Sequence, residues 1–126
     1  AEKVADYLSN HESVERVGYP SKMDGYAKER ADKYLTKGNG ALMGFEIKGG
    51  VEAGKKFIDA LEMVYHVANI GDSRSLAIHP ASTTHSQLNE EELLSAGVTP
   101  GYVRLSIGLE HVDDIIADFE QALAKI

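Results

Sequence analysis

The chain has 126 residues, 43% of them hydrophobic and 26% charged, a balance that fits one folded domain with a real hydrophobic core and excludes a disordered or fibrous chain. Twenty acidic against 13 basic side chains give a net charge of -7 with no Lys/Arg stripe, which argues against nucleic acid as a partner. Cysteine is absent, which removes disulfides, thiolate metal sites and a cysteine nucleophile, and no apolar run is long enough to suggest a membrane span.

In chain order, Val4, Ala5 and Leu8 share one side of a helical reading of residues 1–10, opposite Glu2, Lys3 and Asp6. That helix starts without a capping residue, as a truncated helix would, and without a signal-peptide pattern, so cytoplasmic residence is the default expectation. Val14 and Val17 before Gly18-Tyr19-Pro20 predict a short strand ending in a turn. Ala27, Ala31, Tyr34 and Leu35 recur at helical spacing among charges, predicting an amphipathic helix over 23–35. Residues 41–48 read as a strand with Met43, Phe45 and Ile47 on one face, closed by Gly49-Gly50.

Residues 51–63 return to helical period through Val51, Gly54, Phe57, Ile58 and Leu61, followed by short strands over 65–68 and 75–78 and a polar loop over 79–88. Asn89 followed by three glutamates predicts an N-capped helix to Ser95, stopped by Gly97. Residues 102–109 alternate, with Val103, Leu105, Ile107 and Leu109 pointing one way. A closing helix carries Val112, Ile115, Ile116, Phe119, Leu123 and Ile126 on one face and Asp114, Asp118 and Gln121 on the other. This alternation predicts a single α/β (α+β) domain over 1–126, a two-layer sandwich with helices on one face of a mixed or mostly antiparallel sheet.

Chemistry-bearing residues concentrate between Gly71 and His85 and on the strand around Arg104. Arg104 is the only charge between Tyr102 and Leu109. Its planar fork suits a ligand carboxylate at the edge of a desolvated cleft, and the alternative is a structural carboxylate such as Asp72 or Glu110. His79 and His85, with Asp72 or Glu90, do not have a diagnostic metal spacing, so no metal is expected. Ser75, Ser82, Thr83, Thr84 and Ser106 form no Gly-x-Ser-x-Gly elbow, and Gly38-x-Gly40 and Gly49-Gly50 read as turns rather than phosphate loops.

Three linked runs, Gly71-Asp72 with Ser75-Leu76, His79-Pro80-Ala81-Ser82 with Thr84-His85, and Val103-Arg104-Leu105-Ser106 with Gly108-Leu109-Glu110, resemble the C-terminal part of the Cys/Met-metabolism family of pyridoxal-phosphate enzymes. The resemblance extends back through Val17-Gly18-Tyr19-Pro20 and covers essentially the whole chain. It implies the small C-terminal domain of an aspartate-aminotransferase-like (type I) pyridoxal-phosphate enzyme. It assigns Arg104 to the substrate α-carboxylate, Ser75 to a supporting hydrogen bond and Leu76 to the same wall. Arg74 and Thr84 become possible specificity positions.

A basic residue at position 74, the run Ser86-Gln87-Leu88 and residues 90–100 resemble the family's homoserine-ester sulfhydrylases more than its lyases. The reaction so implied is O-acetylhomoserine plus sulfide to homocysteine and acetate, a γ-replacement through pyridoxal-stabilised carbanions. None of the lysines lies in the family's Ser-x-Thr-Lys cofactor context, and family chains are several times longer. The chain is therefore expected to be a C-terminal fragment, without catalytic residues or bound pyridoxal 5'-phosphate of its own and inactive alone, from a longer homotetrameric enzyme. The alternatives are another family member of the methionine γ-lyase or cystathionine γ-lyase/synthase type, or a free-standing amino-acid-binding module.

Overall fold

The computed structural model describes residues 1–126, the side chain of Glu90 excepted. Five helices, α1 (Glu2–Ser9), α2 (Gly25–Tyr34), α3 (Gly50–Ala60), α4 (Glu90–Ser95) and α5 (Val112–Leu123), are interspersed with five strands among the described residues. The strands are β1 (Val14–Gly18), β2 (Leu42–Ile47), β3 (Tyr65–His66), β4 (Leu76–Ile78) and β5 (Tyr102–Ser106). They form one sheet in the order β1-β2-β5-β4-β3, antiparallel throughout except for the parallel pair β3/β4. The mixed α/β sheet of the sequence reading is therefore present.

The core follows from alternation along the strands. Met43, Phe45 and Ile47 of β2 and Val103 and Leu105 of β5 bury on one face with Ala77 of β4, against Val4 and Leu8 of α1, Phe57 of α3 and Phe119 of α5. Phe45 meets Phe57 edge-on at 5.5 Å between ring centres, and Phe57 meets Phe119 at 5.8 Å, so these rings key α3 and α5 onto the sheet. A small second cluster of Ala81, Leu93 and Val98 seats α4, whose capping box pairs Asn89 with Glu92.

Local competition for hydrogen bonds explains where the elements depart from the sequence reading. The helix predicted over 51–63 stops at Ala60 because Asp118 takes the N–H groups of Glu62, Met63 and Val64 at 2.9 to 3.0 Å. Asp118, placed by periodicity on the outer face of the closing helix, is 6% exposed and pins this turn to α5. The strand predicted over 102–109 ends at Ser106, because Gly108 and Leu109 donate instead to Ser75 Oγ and Ser73 O. Leu109 accordingly leaves the core face and is 86% exposed. The closing helix ends at Leu123 rather than Ile126. The helix predicted over 23–35 forms as α2, yet none of its residues is buried and Tyr26 and Tyr34 are exposed.

Candidate functional site

Residues alternating with the core positions point away from α1, α3 and α5. Arg104 on β5 stands opposite Gly44 on β2 and Ile78 on β4, so all three share this second face of the sheet. Beside Arg104 lies a depression of about 220 Å³ lined by Gly18, Leu42, Gly44 and Tyr102. The absence of a side chain at Gly44 shapes it: a Cβ there would sit 2.2 Å from the Tyr102 hydroxyl, which instead lies across the glycine.

Arg104 is half-buried, and its Nη2 donates to the carbonyl of Asn69 at 3.3 Å. Among the described residues no carboxylate lies within ion-pairing distance of it. The two carboxylates that could have neutralised it are both engaged elsewhere. Asp72 accepts from the Arg74 backbone N–H at 3.0 Å and from its Nε at 3.4 Å, and these hydrogen bonds hold the Asp72 carboxyl below its usual range. The Arg74 guanidinium also lies over the Tyr65 ring, 4.4 Å from its centre.

Glu110 accepts from both donors of Ser75, the backbone N–H at 2.7 Å and the hydroxyl at 2.8 Å. Partial burial works to raise the Glu110 carboxyl, but the hydrogen bonds from Ser75 and from its own backbone N–H outweigh it and leave the group below its usual range. Ser75 is fully buried, and its hydroxyl also accepts from the Gly108 N–H at 2.9 Å. Its side chain therefore faces Glu110 and Gly108, and Leu76, 1% exposed, opens β4 opposite Ser106.

Thr84 is exposed and its hydroxyl is hydrogen-bonded to the His85 ring at 2.8 Å, in the turn beyond Pro80–Ser82. His79 is fully buried, with Nε2 2.8 Å from the Pro100 carbonyl and Nδ1 2.8 Å from the Ser82 hydroxyl. Burial pushes its imidazole below the usual range against the pull of the Pro100 carbonyl, so the neutral ring joins the Pro80 turn to the approach to β5. Among the described residues no three His, Asp or Glu side chains converge on a point that could hold a metal ion, and the Glu90 oxygen lies outside the described side chains.

Besides Asp118, two further polar contacts are not visible in the sequence. Glu46, 7% exposed, accepts from Gly101 N–H at 3.0 Å and from the Thr99 hydroxyl, holding the turn that starts β5. Glu110 was visible only as a possible partner of Arg104. A carboxylate two residues beyond a glycine at a strand end is the signal that could have marked it as a backbone clamp.

Among the described residues, Arg104 is the one charged residue lining this depression. A guanidinium with free N–H groups on an open face can donate to a carboxylate.

The sequence profile of the Cys/Met metabolism PLP-dependent enzymes matches residues 1–124, and the chain belongs to that family. It is 58% identical over 125 residues to the O-acetyl-L-homoserine sulfhydrylase of Leptospira meyeri, covering 98% of this chain and 28% of that protein. It is also 48% identical over 126 residues to the L-methionine gamma-lyase of Fusobacterium nucleatum subsp. polymorphum, covering 100% of this chain and 32% of that protein. Among solved structures it resembles a Campylobacter jejuni protein assigned as an O-acetylhomoserine (thiol)-lyase, which contains N'-pyridoxyl-lysine-5'-monophosphate. The TM-score is 0.88 and the identity 46%, over 98% of this chain and 30% of that one. The chain thus spans about a third or less of the length of these relatives.

Proposed function

We propose that this chain supplies the wall that binds the substrate carboxylate in a longer O-acetylhomoserine sulfhydrylase, and that alone it is inactive. The observation that carries the reading is the half-buried Arg104 guanidinium, which faces an open groove with no carboxylate partner among the described residues while Asp72 and Glu110 are engaged elsewhere. The 58% identity to a sulfhydrylase supports the choice of substrate.

Arg104 presents its fork to the two oxygens of the α-carboxylate and so fixes two axes of the amino acid. Ser75 and Leu76 give that wall its shape at the start of β4, and Arg74 and Thr84 are candidates for selecting the γ-substituent. Pyridoxal 5'-phosphate, held by other parts of the polypeptide, supplies the electron sink for γ-replacement. The residues of this chain bind and orient the substrate. The assembled enzyme is a cytoplasmic homotetramer on this reading, which sulfide enters as second substrate.

The test is steady-state kinetics of the full-length enzyme carrying Arg104→Ala. The KM for O-acetylhomoserine should rise roughly 10- to 150-fold, the effect of about 1.5 to 3 kcal/mol for a hydrogen-bonded charge, while the KM for sulfide stays unchanged. An unaltered KM for the amino acid would refute the assignment. Product analysis separates the nearest competing activity, since a methionine γ-lyase releases a keto acid and ammonia rather than forming homocysteine and acetate.

A further inference from the structure

We infer that Glu110 is a positioning residue for the carboxylate site, acting through Ser75 rather than on the substrate. The inference rests on the reading of Arg104 given above and extends it to a residue that makes no contact with the groove.

Glu110 lies just beyond the end of β5, and Ser75 immediately precedes β4. One carboxylate receives both the amide N–H and the hydroxyl of Ser75, and the same hydroxyl receives the N–H of Gly108, two residues before Glu110. Leu109 N–H adds a bond of 2.8 Å to the Ser73 carbonyl. Four hydrogen bonds therefore clamp residues 73–75 onto residues 108–110.

The clamp is tight because position 108 is glycine. A Cβ there would lie 2.4 Å from the Arg74 carbonyl carbon and 2.5 Å from both Ser73 O and Ser75 N. No side chain fits between the two segments, so their separation is set by backbone contact and held by the Glu110 carboxylate.

Two groups of the proposed site ride on this clamp. Arg74 projects from its centre, steered by Asp72 and the Tyr65 ring. Leu76 follows Ser75 directly and registers with Ser106, two residues from Arg104. Without the Glu110 carboxylate, both donors of the buried Ser75 lose their acceptor, and the start of β4 shifts relative to the Arg104 strand. A shift of about 1 Å at a binding wall is enough to cost up to roughly a hundredfold in productive binding.

The replacements differ in what they leave. In Glu110→Gln one oxygen still accepts the Ser75 N–H, but the amide donates to the hydroxyl, whose own proton is then stranded in a buried place. In Glu110→Ala both acceptors are lost. The order of effect should be Ala above Gln.

The test is a kinetic comparison in the full-length enzyme of Glu110→Gln, Glu110→Ala, Ser75→Ala and the double variant Ser75→Ala/Glu110→Ala, with Arg104→Ala alongside. The expected result is a KM for O-acetylhomoserine raised roughly tenfold by Glu110→Gln and more by Glu110→Ala. The KM for sulfide should be unchanged, and the double variant no worse than the more damaging single one. A purely structural role would lower the yield of active enzyme and leave both KM values alone, which would overturn the inference. If Glu110→Ala does not fold, Glu110→Gln decides alone, and a wild-type KM in it overturns the inference. If Arg104→Ala raises the KM and the Glu110 variants do not, only this inference fails. If Arg104→Ala is also silent, the carboxylate reading itself falls.

Discussion

Arg104 donates to the carbonyl of Asn69 at 3.3 Å, the one hydrogen bond its guanidinium makes among the described residues, and that bond engages only Nη2. The remaining donors of the fork are available to a ligand on the open face of the sheet. Lysine at this position would keep the charge and lose the two parallel donors. Arg104→Lys in the full-length enzyme should therefore raise the amino-acid KM nearly as much as Arg104→Ala, by roughly tenfold or more. A lysine variant with wild-type KM would show that charge alone suffices.

Asp118 should be the most costly single carboxylate to remove. It accepts from three backbone N–H groups and from Gln121 Nε2 at 3.0 Å, and Asp118→Ala strands those donors at the junction of α3 and α5. A loss of about 3 kcal/mol is expected, with Asp118→Asn less damaging because it keeps one acceptor oxygen. Urea denaturation followed by circular dichroism measures it. A midpoint shift for Asp118→Ala no larger than that of an exposed control, Asp113→Ala, would contradict the account.

The same group takes part in the acid limb of stability. Burial favours the neutral form of Asp118, but the N–H groups of Glu62, Val64 and Met63 and the Gln121 amide outweigh it and leave the carboxyl below its usual 3.8. Glu110 is likewise held below 4.5, and His79 below 6.5 because burial disfavours its charge. In all three the folded state binds its proton more weakly than the unfolded state, so stability is lost as pH falls. The His79 contribution starts to decline below about 6.5, that of Glu110 below about 4.5 and that of Asp118 below about 3.8, each vanishing past its folded value. Thermal melting across pH should show two descents, and His79→Gln should remove the upper one. An unchanged upper descent would contradict the buried neutral imidazole.

Gly108→Ala should be disruptive although it adds one methyl group. Its Cβ would meet backbone atoms of Ser73, Arg74 and Ser75 rather than a movable side chain, so the clamp must open. About 2 to 3 kcal/mol of stability should be lost. Melting of this variant near the wild-type temperature would show that the contact between the two segments is looser than its geometry states.

The elements that could be read from sequence are those whose apolar spacing coincides with burial. Met43, Phe45 and Ile47 alternate and lie on the helix-covered face, and Val4, Ala5 and Leu8 do the same on α1. Where a polar group is used inside the fold, periodicity misleads. Asp118 has outward spacing and is buried, because the backbone donors it accepts from lie 54 to 56 residues earlier in the chain. The apolar stripe of α2 formed its helix without acquiring a buried face.

The site divides in the same way. Arg104 stands out in the sequence as a lone charge in an alternating strand, and its pairing with Gly44 puts it on the face away from the core. The grip of Glu110 on Ser75 joins residues 35 apart and could not be told from sequence from a pairing of Glu110 with Arg104.

Whether Arg104 receives the α-carboxylate is read from competitive inhibition of the full-length enzyme by homoserine and by 3-aminopropanol, which differs from homoserine only in lacking that carboxylate. The wild-type enzyme should bind homoserine more tightly by roughly 10- to 100-fold, equivalent to about 1.4 to 2.8 kcal/mol, and in Arg104→Ala the two inhibition constants should converge. A preference for homoserine that survives undiminished in Arg104→Ala would contradict the account.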